Sequence, residues 1–465
     1  MDGFGAFLFH AREELLLFGG FWFLVGGVDD LVIDLIWGGR AGWRWLTRYR
    51  HTPAMRADQL PTPVNNSPLA IFIPVWHEAD VIGRMLLNCI DSWQKSGINY
   101  RIYVGCYAND PASISAVIAA SSQDRSIRLV LCATAGPTTK ADCLNSLWRA
   151  LTRDELAGGY KAKAIVLHDA EDYVHPLELG IYDYLIERAA AVQLPVIPIA
   201  VPGSAWVSGH YCDEFAEAHG KSLVVREAIG ASVPLAGVGC AIERNRLGRI
   251  AIARNGEPFD AGSLTEDYEL GLGLGADGGK VIFARIFGQC GKLVGTRACF
   301  PDTFEAATRQ KARWMTGIAL AGWDRLGWRG GLSEVWMRLR DRKAVFAAIV
   351  LTIAYVCIAL TAMLIGLEHA GLYTPPVISG TVRIMLTITL MLLVWRVIVR
   401  FAFVWLMHGV GQALLSIPRN FVANIIGIVA ARRACWAYLR LMFGGTLSWD
   451  KTAHTHFPDK VAQNG

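Results

Sequence analysis

The chain has 465 residues, 53% of hydrophobic types and 18% charged, with a net charge of +5. Ordinary soluble domains carry roughly 25% charged and about 45–50% apolar residues, so disorder and a plain soluble enzyme are both excluded. A charge this small leaves no footprint for nucleic acid. The 10 cysteines are spread singly with no CxxC pair. They read as small apolar residues in a reducing compartment, not as a disulfide framework or zinc site.

The apolar excess is concentrated. Leu15 to Trp37 is mostly hydrophobic and about as long as a bilayer crossing requires. No small-residue cleavage site follows it, which favours an anchor over a removed signal peptide. A second span runs from Val345 to Leu367. A third, about Ile384 to Met407, is interrupted by Arg396 and Arg400. Asp29, Asp30 and Asp34 lie within the first. Charges at such depth find partners, so these aspartates are expected either to pair with the two arginines or, if the span ends near Val28, to lie in the interface. Phe421 to Phe443 sets apolar residues at helical spacing beside Arg432, Arg433 and Arg440. That pattern predicts an amphipathic helix in the membrane interface, not a fourth span.

Arg40, Arg44 and Arg48 follow the first span, and Arg338, Arg340, Arg342 and Lys343 precede the second. The loop from Glu368 to Gly380 has no Lys or Arg. The positive-inside rule then places the large domain and the carboxyl terminus in the cytoplasm and the amino terminus outside. The expected division is an anchor over 1–60, a globular domain over 61–330, two membrane helices over 331–410, and an interfacial helix with a tail over 411–465.

The globular part alternates. Strand-like runs at Leu69–Val75, Arg101–Cys106, Arg128–Cys132 and Ala164–Leu167 are separated by helical stretches at Ala79–Ser96, Ala112–Ser122 and Lys140–Leu151. That order predicts a mainly parallel α/β sheet, whose ligand sits at the carboxyl ends of the strands.

Polar signals cluster there. Glu78 follows the first strand and Asn109-Asp110 the second. Both also suit plain turns. Thr138-Thr139-Lys140 opens a helix, where free amides and a lysine can hold an anion and either threonine can simply cap. His168-Asp169-Ala170-Glu171-Asp172 follows a buried strand. Three carboxylates there suit Mg²⁺ or Mn²⁺ bound together with a diphosphate. In Ser263-Leu264-Thr265-Glu266 a capping box accounts for Ser263 and Glu266, but not for Asp267, a carboxylate able to take a proton. Gln310, Arg313 and Trp314 share one helix face. Arginine clamps phosphate and tryptophan offers a flat face to a sugar, or packs on the core. Gly271, Gly273 and Gly275 come too late for a dinucleotide fingerprint. His454 and His456 have no partners in sequence for a metal.

In this order, Glu78, Asn109-Asp110, Lys140-Ala141, Asp169-Ala170-Glu171, Thr265-Glu266-Asp267 and Gln310 to Trp314 resemble the motifs of a membrane-embedded glycosyltransferase of family two. The resemblance implies a GT-A fold and an inverting transfer from a UDP-sugar. Asp169 and Glu171 would hold the divalent cation; Glu171 stands where the family has its second Asp, which leaves Asp172 open as the alternative ligand. Glu78 and Asp110 would seat the uridine, with Lys140 near the same pocket. Asp267, beside Glu266, would be the general base. Arg313 would lie near the diphosphate and Trp314 under the acceptor sugar, on the helix face that carries Gln310. Gly237-Val238-Gly239-Cys240 resembles the acceptor-side loop.

The wording HDAEDYVHP, FPDTFEAATRQKARWMTGIALAGW and WDKTAHTHFP is similar to that of the bacterial inner-membrane phage-adsorption protein B group, whose members resemble exopolysaccharide synthases. The expectation is a processive enzyme that extends a glycan at the inner membrane, with an outer-membrane partner for export. Three spans are few for a pore, so the interfacial helix, a partner or a second copy would close it. The rivals are transfer of one sugar to a lipid acceptor and a non-catalytic receptor or secretion scaffold. Longer members carry a cyclic di-GMP domain, and this chain stops about where that domain begins.

Overall fold

The computed structural model describes residues 2–50, 54–289, 291–444 and 457. His454, His456 and most of the WDKTAHTHFP stretch lie outside them, and so does Cys290.

A seven-stranded sheet has the order β3-β2-β1-β4-β7-β5-β8. Its strands are β1 (Leu69–Pro74), β2 (Tyr100–Tyr107), β3 (Ile127–Cys132), β4 (Ala164–Leu167), β5 (Ala191–Gln193), β7 (Cys240–Glu243) and β8 (Val281–Phe283). The short pair β6 (Val196–Ile199) and β9 (Thr296–Cys299) stands apart. β1 to β4 are mutually parallel. β7 alone runs against its neighbours β4 and β5. The chain therefore has the mainly parallel α/β fold that the alternation predicts.

β1 is buried along its whole length. A strand covered on both faces reads as a continuous apolar run, which is why LAIFIP shows no polar alternation. Its side chains still divide by face. Leu69, Ile71 and Ile73 join Ile102, Val104 and the fully buried Trp93 on one side. Ala70 and Phe72 join Tyr103, Ile165 and Leu167 on the other.

The register brings the site's strand ends together. Pro74 lies beside Gly105, Phe72 beside Leu167, and Leu167 beside Cys240. Because β7 is reversed, its first residue meets the last residue of β4. The Gly237-Val238-Gly239 approach to β7 thus abuts His168 and Asp169.

Among the described residues, four helices are long and apolar enough to cross a membrane: one spanning Gly3–Tyr49, then Ala344–His369, Gly380–His408 and Val410–Met442. The last differs from expectation. It is one continuous 33-residue helix through Pro418, starting eleven residues before Phe421. Its side chains bond to the globular part: Arg419 to Asp213 at 3.0 Å, Arg433 to Glu305 at 2.9 Å, and Tyr438 to Asp324 at 2.5 Å. From Arg419 to Tyr438 is about 28 Å of helix. Other groups reach the long helices: Asn420 accepts from Arg400 at 2.7 Å and Asn424 donates to Tyr355 at 3.3 Å. The helix therefore fills the seam between the two parts.

The aspartates of the first helix are paired. Asp30 bonds Arg396 at 2.9 Å and Arg340 at 2.9 Å. Asp29 takes Arg340, Lys343 and Trp336; Asp34 takes Lys221 and Trp395. Arg400 departs from the expected pairing. It turns to Glu217 at 3.1 Å, because the globular domain presents a nearer carboxylate.

Candidate active site at the strand ends

β4 delivers His168 and Asp169 to opposite sides. The His168 ring is fully buried, with Nδ1 2.9 Å from Asp172 and Nε2 3.0 Å from Glu178. Burial lowers its pKa, but Glu178 and Asp172 raise it more strongly, to about 10. Asp172 also accepts from the Asp169 backbone N–H at 3.1 Å. Asp172 is thus part of the internal scaffold, which leaves Asp169 and the nine-tenths-buried Glu171 as the acids of this segment to weigh for a ligand.

Asp169 faces the cleft. Its Oδ1 lies 2.6 Å from Lys140 Nζ, and its side chain is 31% exposed. Lys140 opens the Lys140–Gly158 helix. Thr139 is the cap, in a reciprocal capping box with Asp142, so the capping and a lysine turned into the cleft are both real. Lys140 also donates to the Gly237 carbonyl at 3.4 Å. Burial lowers the pKa of this lysine, and Asp169, Glu266 and Asp267 together raise it further than that.

Asp267 sits in the first turn of the Glu266–Ala276 helix, where its Oδ1 accepts from the Tyr268 N–H at 2.7 Å. Gly237 has φ +73°, and a Cβ there would collide with the Asp267 carboxylate. A glycine is needed so that backbone can approach this acid. Gly239, at φ +59°, likewise makes room for Thr296 and leads into the buried Cys240. Burial raises the pKa of Asp267, relieved in part by Lys140. Burial and the Asp267 charge push Glu266 up to about 7.

The expected capping box at Ser263 is not formed. The helix starts at Glu266 with Thr265 as its cap residue, and the Ser263 hydroxyl donates to Glu269 at 2.7 Å. Ser263 lies two residues before the cap position, so its hydroxyl meets the Glu269 side chain and the Thr265 N–H instead of capping the helix. Glu266 is therefore left to the cleft.

Asp110 accepts from His77 N–H at 2.7 Å and from Ser113 N–H at 3.3 Å, and caps the Pro111–Ser121 helix. Burial raises its pKa, but these donors lower it overall. Glu78 is buried beside it, its N–H donating to Ser113 at 3.0 Å. Asn109 clamps Gly136 through both backbone groups at 2.8 and 2.9 Å. The ends of β1 and β2 are thereby tied to the approach to Lys140.

The Phe304–Trp314 helix brings Gln310, Arg313 and Trp314. Its continuation packs Gly317 against Thr265, at the start of the Asp267 helix. Arg313 is close enough to lower the pKa of Asp267. Gln310 Oε1 and Arg313 Nε are buried and, among the described residues, have no hydrogen-bond partner. Trp314 is half-buried in an aromatic cluster, 6.1 Å ring to ring from Tyr211 and 6.4 Å from Phe300. The three glycines 271, 273 and 275 lie inside the Glu266–Ala276 helix, where Gly271 allows contact with the Leu235 backbone.

The chain matches Glycosyl transferase family group 2 over residues 164–415. It belongs to that glycosyltransferase family. It is 34% identical over 451 residues to "Bacteriophage adsorption protein B" of Escherichia coli strain K12, and to the same extent to "Bacteriophage N4 adsorption protein B" of strain O157:H7. The alignment covers 92% of this chain and 60% of each relative, so the chain spans about three-fifths of their length. The structure is similar to a Pyrobaculum calidifontis mannosyltransferase in complex with GDP-mannose and Mn²⁺. The TM-score is 0.50 at 15% identity, covering 88% of this chain and 99% of the other. That likeness is one of fold, and it makes the α/β domain a GT-A domain.

Two features of this glycosyltransferase domain escaped the sequence reading. One is the His168–Asp172–Glu178 cluster, foreshadowed only by the i, i+4 spacing of His168 and Asp172. The other anchors the helix of Asp267. Tyr268 Oη donates to Asp341 at 2.7 Å, and Arg226 donates to both Asp341 oxygens at 2.8 Å. No local spacing connects residues so far apart in the chain.

Proposed function

We propose that this protein is an inverting glycosyltransferase that moves a sugar from a nucleoside diphosphate sugar, UDP-linked by preference, to a glycan growing at the bacterial inner membrane. The observation that carries the reading is the meeting of Lys140, Asp169, Glu266 and Asp267 around Gly237. Three carboxylates face one ammonium there, in a cleft that solvent reaches.

This donor set fits a divalent cation. Among the described residues no three His, Cys, Asp or Glu side chains form a ready metal cage. Mg²⁺ and Mn²⁺ are commonly held by one or two carboxylates together with substrate phosphates. Asp169, with Glu171, would hold the ion. When bound, it would neutralise charge on the departing diphosphate. Glu78 and Asp110, fixed at the ends of β1 and β2, would seat the nucleoside. Arg313, with its unpaired Nε, would add a donor to the diphosphate.

Asp267 takes the proton of the acceptor hydroxyl. Its raised pKa makes it a stronger base than an exposed aspartate. The acceptor oxygen forms a bond to the anomeric carbon from the face opposite the diphosphate. The bond to phosphate oxygen breaks, and its electron pair leaves with the diphosphate. As Asp267 gains the proton, its repulsion with the Glu266 carboxylate is relieved, which favours the transfer. Gln310, Trp314 and Gly239 line the acceptor side in this reading, while Cys240, buried in the core, anchors the end of that loop. Repeated transfer along the Val410–Met442 helix, lying in the membrane interface, accounts for a processive product, and an outer-membrane partner would receive it.

The test is nucleoside diphosphate release by the purified protein across UDP- and GDP-sugars, with Mg²⁺, Mn²⁺ or chelator. Asp169→Asn and Asp267→Asn run alongside, and product size is measured. We expect metal-dependent release with a UDP-sugar, lost in both variants, and a long product. A single added sugar would replace the glycan acceptor by a lipid. A well-folded protein that neither binds nor turns over any donor would be a scaffold.

A further inference from the structure

The molecule has a second polar feature, at the end of the long helices remote from Asp169. A cavity of about 450 Å³ opens there between the amino-terminal helix, the connection after Ala344–His369 and the start of Gly380–His408. Arg12, Arg383, Thr387, Pro376, Leu386 and Leu390 are among its lining.

Arg12 is 5% exposed. Its Nε and Nη2 are buried and, among the described residues, have no hydrogen-bond partner. Its guanidinium stacks on Phe9 at 5.0 Å, which satisfies no N–H. The adjacent Glu13 is engaged by the Ser379 N–H at 3.2 Å. Buried arginines are ordinarily paired, because an uncompensated buried charge costs several kcal/mol. An anion is the missing partner.

Position says which anion. Asp29, bonded to Trp336, Arg340 and Lys343, marks where the same helix, which continues to Arg44, reaches the residues leading into Ala344–His369. Arg12 is seventeen residues earlier, about 26 Å along the axis. A bilayer's hydrocarbon core is about 30 Å thick, so Arg12 lies at the depth of the opposite headgroups. The cavity pairs two cations with an apolar wall, and Leu390 is exposed along the outward side of its helix. Phosphate meets the first and an acyl chain meets the second.

We infer that this cavity binds the phosphate of an anionic phospholipid between Arg12 and Arg383, with an acyl chain along Leu386 and Leu390. The site rests on the long helices being in a membrane. It does not depend on the transferase chemistry.

The test uses the full chain, delipidated in neutral detergent. It is titrated with short-chain phosphatidylglycerol, with phosphatidylcholine of the same chains, and with inorganic phosphate. Bound lipid is read by native mass spectrometry, and stability by melting temperature. Phosphatidylglycerol should bind and raise the melting temperature, with phosphatidylcholine about tenfold weaker or worse. Arg12→Gln and Arg383→Gln should each weaken phosphatidylglycerol about tenfold or more. Arg383 is exposed, so its variant reports even if Arg12→Gln fails to fold. Equal binding of the two lipids, or unchanged binding in Arg383→Gln, overturns the proposal. Inorganic phosphate matching phosphatidylglycerol would mean a free-anion site and also overturns it.

Discussion

His168 and Asp169 are adjacent on one strand end, yet they enter two different clusters. Around His168 a buried imidazole meets two buried carboxylates at 2.9 and 3.0 Å; the imidazole is pushed up to about 10, and burial raises the Asp172 carboxyl as well. Around Asp169 one ammonium faces three carboxylates, two of which have raised pKa values, with the cleft open to solvent. Both are buried ionic groups on the same turn. The first is closed and uses its charges internally. The second carries surplus negative charge where a cation and a phosphate can reach it. A perturbed pKa marks a functional site only when some of the charge is left for a ligand, and the His168 cluster shows the structural alternative.

That contrast can be broken by experiment. Asp267→Asn should lower turnover about 10²–10⁴-fold with nucleotide binding retained, since only the proton acceptor is lost. Turnover within a few-fold of wild type would remove Asp267 as the base. His168→Gln should do the reverse. Leaving Asp172 and Glu178 buried without their partner should cost about 3–5 kcal/mol in unfolding experiments. The folded fraction should bind donor normally, and a stable variant would show that the two clusters do not divide structure from chemistry.

The pH dependence of stability has a definite sign. The folded pKa of His168 stands near 10, above the ordinary 6.5. Its stabilisation is therefore complete below about pH 6.5 and is lost as pH rises through about 10. The melting-temperature gap between wild type and His168→Gln should narrow across that window. A gap that widened would reverse the assignment.

Glu266, held up to about 7, should put a limb near that pH into the rate profile. Glu266→Gln should remove the limb, and a profile identical to wild type would take Glu266 out of the cleft's titration. The smallest effect is expected from Tyr268→Phe. Losing one hydrogen bond of about 0.5–1.5 kcal/mol to Asp341 should lower turnover a few-fold with donor KM unchanged. A changed KM instead would place Tyr268 in donor binding.

Much of this was legible in the sequence. Continuous apolar runs at Leu69–Pro74 and Ala164–Leu167 announce buried parallel strands, and the acids after them sit where such sheets bind ligands. Asp30 and Arg396 announce each other as charges within apolar helices. Other points were misread. Ser263 and Glu266 have capping-box spacing, but the helix starts only at Glu266, with Thr265, packed close to Gly317, as its cap residue. The helix expected from Phe421 begins instead at Val410 and runs through Pro418, held by Arg419 on Asp213 and Asn420 on Arg400. Arg400 chose Glu217 because the globular domain was nearer than the first helix's remaining aspartates.

Sequence alone therefore determined the first four strands, the helices between them and the residue types at the strand ends. Periodicity, apolar length and local spacing are properties of neighbours in the chain. Tertiary structure decided which carboxylate does what. Asp172 joined the scaffold and Asp169 the cleft, Glu266 was released from capping, and reversed β7 brought Gly237 against Asp267. Those outcomes depend on burial and on partners far away in sequence. A charge's environment is set by what packs around it, and no local pattern encodes that.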